Sequence, residues 1–158
     1  MTEPIDQGPM DPTKDEEVKL PEHLDKPYTD MTPEEAAERL KWERKAELSE
    51  MGVSETQIEQ WRKQYRRLAT VRICDRLYIV RPLRRIEKRK IIQKAMAVSE
   101  AWQQEMAINE EIAYKCTLFP SLDLVELRNE SEDGVVEEIS KSVQELSGYG
   151  ASAYVMEL

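Results

Sequence analysis

Apolar positions recur at helical spacing along most of this chain and alternate at strand spacing in one short stretch. The first helix is signposted at its start: Thr32 is a good N-cap, Pro33 suits the first helical position and Glu35 completes a capping box. It is expected to run to about Met51 and stop at Gly52, with Ala36, Ala37, Leu40, Ala46 and Leu48 as a thin apolar stripe and Trp42 beside it. Ser54 and Gln57 form a second capping box that leads through Ile58, Trp61 and Tyr65. The two runs predict a helical hairpin.

From Ala69 to Arg81 the period changes. Val71 and Ile73 alternate with Arg72 and Cys74, and Leu77 and Ile79 with Tyr78 and Val80, which predicts a β-hairpin near 69–81 turning about Asp75-Arg76. Pro82 ends that run. A long helix is then expected from about Arg84 to about Asn109, with Ile86, Ile92, Met96, Ser99, Trp102 and Met106 tracing one face. A further helical run, Glu110 to Thr117, stops before Pro120, and Ser121 to Asp133 reads as a loop or short helix. Gly134 opens a final helix striped by Val135, Val136, Ile139, Val143 and Leu146, with Gly148 as its stop. The pattern predicts a mainly α fold with a small β-hairpin: a helical domain over 32–149, an extended arm over 1–31 and a tail over 150–158.

The arm is set apart by composition. Pro4, Pro9, Pro12, Pro21 and Pro27 interrupt any periodicity and apolar residues are sparse, so residues 1–31 offer too little surface to offset the entropy of ordering alone. Ordering on a partner is the functional expectation. Charge divides the chain in the same way. Residues 1–31 carry nine acids against Lys14, Lys19 and Lys26, whereas residues 61–94 hold thirteen Lys or Arg against Asp75 and Glu87. The end is acidic again and the whole carries −9. Such segments can neutralise one another within the chain or between subunits.

Candidate chemistry is thin. His23 is the only histidine and sits in the Pro-rich arm, where no nucleophile is held beside it. Glu110-Glu111 and Glu137-Glu138 are neighbours that diverge by about 100° on a helix, so they do not converge on one atom. Cys74 and Cys116 are far apart, with no C-x-x-C pair for zinc, and read as two reduced thiols. No run approaches the roughly 20 apolar residues of a membrane span, and the N-terminus has no secretory pattern. No catalytic, cofactor or metal residue is therefore assigned, and the expectation is a non-enzyme made in a reducing cytosol. The basic segment 62–90 offers phosphate contacts, with Tyr65 and Tyr78 to stack on bases. It lacks any nucleic-acid-binding signature in an acidic chain, so nucleic acid remains an alternative partner.

The order of signals resembles small tail-assembly and baseplate-hub proteins of contractile-tailed bacteriophages. In that family a short hairpin ends in an Arg-Pro-Leu-Thr-Arg-x-Glu-Tyr-like sequence and leads into a helix; here the matching run is Tyr78 to Lys88, with Arg81, Pro82, Leu83, Arg85 and Glu87 in register. Arg84 stands at the family's small hydroxyl position and Lys88 at its aromatic. A Cys before an aromatic-Pro pair matches Cys116 to Pro120, and a Gly-Val followed by a helix ending Ser-Gly-aromatic matches Gly134-Val135 and Ser147 to Tyr149. The likeness covers about residues 65–149. It implies a virion tail or baseplate protein, assembled in the host cytoplasm, that joins hub components by protein–protein contacts. A tail-assembly chaperone absent from the mature particle is the near alternative. Other tail and baseplate proteins are the expected partners, along with a homo-oligomer, and no membrane. Arg81, Arg84 and Arg85 at the corner, and Tyr149, Tyr154 and Met156 in the tail, are the expected partner-binding residues.

Overall fold

The computed structural model of this chain describes residues 19–129, 131, 133–148 and 156–157. It is mainly helical with a small antiparallel sheet. The chain forms two compact units, Met1–Glu55 and Thr56–Leu158, a division that falls inside the single 32–149 domain drawn from the sequence.

In the first unit, α1 spans Pro33–Glu50, and the Thr32 hydroxyl accepts the Glu35 N–H at 3.2 Å as its N-cap. Its end is a Schellman turn: Gly52 takes φ +91°, and Val53 N–H reaches back to Leu48 O at 2.9 Å. Only glycine enters that left-handed region without strain. The arm expected over 1–31 behaves differently where it is described. From Lys19 it makes two 3-10 turns, Glu22–Leu24 and Tyr28–Asp30, with Leu24 fully buried. Arg39 of α1 holds this stretch by donating to Leu24 O and Lys26 O (3.4 and 2.6 Å) and by lying 4.7 Å over the Tyr28 ring. Residues 1–18 lie outside the described residues.

The second unit opens with α2, Glu55–Tyr65, whose first residue is the last of the first unit; the helix stops as Arg66 enters the left-handed region at φ 64°. The hairpin follows as β1, Ala69–Ile73, and β2, Arg76–Val80. Ile73 pairs with Arg76, so the two-residue turn is Cys74-Asp75, one residue earlier than expected. Both turn residues have positive φ, 48° and 63°, the primed geometry whose twist suits a two-residue hairpin. Ala69, Val71, Tyr78 and Val80 share one face of the hairpin and join the core. Leu77 and Ile79, turned to the opposite face, are buried too, which explains the unbroken apolar run Leu77–Val80.

The long helix expected from Arg84 to Asn109 is two helices. α3 spans Arg85–Ala95, the chain turns over 96–100, and α4 spans Ala101–Cys116, absorbing the run expected as separate. A straight rod of that length would reach about 40 Å and overshoot so small a sheet. Breaking it lets both halves lie together: Lys94 Nζ meets Glu111 Oε1 at 2.7 Å, and the Gln104 amide caps the turn on Val98 O at 2.5 Å. The presumed apolar face is mostly exposed (Met96 67%, Trp102 60%, Ile86 59%), and the buried positions are Ile91, Ala95, Ile112, Ala113 and Cys116. β3, Thr117–Phe119, pairs antiparallel with β2, and α5, Leu124–Asn129, begins with Asp123 Oδ1 accepting the Glu126 N–H. α6, Asp133–Leu146, buries Val136, Ile139, Val143 and Leu146 as expected and ends before Gly148 at φ +101°. β4, Met156–Glu157, completes the sheet order β3-β2-β1-β4.

Candidate interaction site at the strand-to-helix corner

Pro82 follows β2 with no N–H to donate and a fixed φ, so the chain must turn out of the sheet there. The turn is held by Arg81, which is 7% exposed. Its guanidinium makes a two-pronged pair with Glu87 (Nη1 to Oε2 3.0 Å, Nη2 to Oε1 2.9 Å) and also donates to Pro82 O at 3.1 Å. Glu87 Oε2 further accepts the Arg84 N–H at 2.9 Å, the half of a capping box that survives when an arginine, which cannot accept, occupies the N-cap. Burial alone opposes both charges, lowering the Arg81 pKa and raising that of Glu87. The mutual hydrogen bonds and attraction outweigh it, leaving Arg81 above and Glu87 below its ordinary value.

Three stretches far apart in sequence meet at this corner. Arg81 N–H donates to Cys116 O at 2.9 Å, Ile79 pairs with Phe119 across the sheet, and the Ser147 hydroxyl accepts the Leu83 N–H at 2.8 Å. Cys116 is fully buried and burial pushes its thiol up to about 12, so it is a core residue rather than a nucleophile. Cys74, in the hairpin turn, is exposed.

Of the expected partner-binding residues, Arg81 and Arg84 come together over the Tyr65 ring, at 4.9 and 6.0 Å from its centroid. Arg81 is a structural residue of the corner, while Arg84 and Arg85 are exposed. Met156 pairs through its backbone with Thr70 at the sheet edge, and Tyr149 and Tyr154 lie outside the described residues. Of the two rings considered for base stacking, Tyr78 is 5% exposed, and half-buried Tyr65 carries Arg81 on its ring.

A second surface was hidden by its sequence pattern. Met96, Trp102 and Met106 are exposed around the α3–α4 turn, beside a cleft of about 290 Å³ that Trp102 and Met106 line with Leu127, Arg128 and Val136. With Ser99 between Met96 and Trp102 they follow i, i+3 and i, i+4 steps and look like a core stripe, and the competing stripe of Ile112, Ala113 and Cys116 was the signal that could have displaced it. A larger cavity of about 570 Å³ lies by the hairpin turn, between Cys74, Tyr78, Leu122 and Val135. His23 Nε2 sits 3.2 Å from Glu38 Oε1 in the first unit, both groups exposed. Among the described residues no helix is long and apolar enough to cross a membrane. Comparisons with protein-family models, with curated proteins and with solved structures return no match.

Proposed function

We propose that this chain is a non-enzymatic structural or assembly protein of a contractile phage tail, joining baseplate-hub components through protein–protein contacts. The setting rests on the likeness of Tyr78–Lys88, Cys116–Pro120 and Ser147–Tyr149 to the hub and tail-assembly family. Their meeting at one corner supports reading them as a single structural unit. The mode of action rests on one observation: Trp102 and Met106 are large apolar side chains left exposed along one cleft, with Met96 also exposed where α3 ends. Clustered apolar exposure of that kind marks interaction surfaces, and aromatic and Met side chains are what interface centres favour. The nucleic-acid alternative has one stacking candidate fewer, because Tyr78 is 5% exposed, and Tyr65 already carries Arg81 on its ring.

Quantitative mass spectrometry of gradient-purified particles, with tails separated from capsids, tests this reading. A fixed copy number in the tail fraction is expected. Absence from particles with abundance in the infected-cell lysate would make it a departing chaperone using the same contacts, and absence from both would overturn the tail setting.

A further inference from the structure

The corner around Tyr65 carries more positive charge than its own acids use. Glu87, its carboxylate, is committed to Arg81 and to the Arg84 N–H. Arg66, next in the chain to Tyr65, and Arg84 and Arg85, which open α3, are exposed, and among the described residues no carboxylate pairs with any of them. Arg84 already lies over the ring beside Arg81, so its guanidinium is oriented without a bound partner.

We infer that this corner docks the acidic N-terminal segment, residues 3–17, of another copy of the chain. The segment has six acids, Glu3, Asp6, Asp11, Asp15, Glu16 and Glu17, against Lys14 alone. Pro4, Pro9 and Pro12 bias it to extended conformations, which lowers the ordering cost of binding along a surface. Planar guanidinium forks match carboxylates in pairs, which lysines do not. A nucleic acid fits the charge but cannot use the buried Tyr78 ring as a stacking platform. Because donor segment and acceptor corner are different surfaces, the contact is head-to-tail and builds rings or open chains rather than closed pairs. The inference rests on reading the chain as an assembly protein but not on the phage-tail setting, so the particle experiment can fail without it and the reverse.

Sedimentation velocity of the full chain tests it. Self-association is expected at about 50 mM salt and at least about tenfold weaker at 500 mM. Two full-length variants should each be monomeric: one with the six acids changed to Gln or Asn, the other with Arg66→Gln, Arg84→Gln and Arg85→Gln. Circular dichroism confirms that each is folded. Mixed together, they should form a heterodimer that grows no further, since one intact donor meets one intact acceptor. Arg→Lys at the same three sites should restore association in part. A full chain that is monomeric at low salt, or association untouched by either variant, overturns the inference. So does single-stranded oligonucleotide binding that needs the three arginines while self-association does not.

Discussion

At Glu87 one carboxylate serves three donors, the two prongs of Arg81 and the Arg84 N–H. Removing its charge leaves a guanidinium that is 9% exposed facing a neutral amide. Glu87→Gln should therefore destabilise the second unit by about 2–4 kcal/mol, seen as a lower midpoint in urea. Its pH dependence has a definite sign. The folded pKa lies below the ordinary 4.5, so the contribution is fully present above that value and is lost as pH falls through the lowered one. The gap between the native chain and Glu87→Gln should thus shrink as pH falls below the ordinary carboxylate range, and a constant gap would show that the charge is not what matters. The two thiols make a second residue-scale contrast. Cys74 is exposed and Cys116 is fully buried with its thiol pushed up to about 12. A thiol reagent at neutral pH should label one cysteine quickly and the second only on unfolding.

At the scale of elements, what was legible depended on whether a local signal set the outcome. Thr32, Gly52, Pro82 and Gly148 act on their own neighbours, and the boundaries they predict are where the structure has them. The hairpin was legible from alternation, but its turn slipped by one residue because Cys74-Asp75 adopts positive φ without glycine or asparagine to announce it. That mismatch predicts a gain: Asp75→Gly should stabilise the hairpin by about 0.5–1 kcal/mol, readable in thermal melts. The break at 96–100 has no glycine or proline, and its cause is tertiary, the need to stack α3 and α4 within reach of one sheet. The apolar face of the supposed single helix was misplaced for the same reason. The Arg81–Glu87 pair spans only six residues, whereas the meeting of Cys116 O and the Ser147 hydroxyl with this corner spans sequence separations that no local pattern reports.

Across the whole molecule, the acidic start of the chain can be shortened at two places with different expected consequences. Residues 19–31 belong to the first unit's fold: Leu24 is fully buried, Lys26 pairs with Glu35, and Tyr28 donates to Glu43 Oε2 at 2.8 Å while lying under Arg39. Deleting residues 1–31 removes all of these at once, and the loss of Leu24 burial alone is worth about 2 kcal/mol. A partner-binding defect in that deletion would therefore confound a lost contact with a weakened unit. Deleting only residues 1–18 removes the six acids of the proposed docking segment and leaves Leu24, Lys26 and Tyr28 in place. The expected result is a melting curve close to that of the full chain together with loss of salt-sensitive self-association. The 1–31 deletion should instead lower the stability of the first unit, as hydrogen exchange in α1 would report. Equal protection of α1 in both deletions would mean that the two 3-10 turns add nothing to the fold, and that the start of the chain acts through its charge alone.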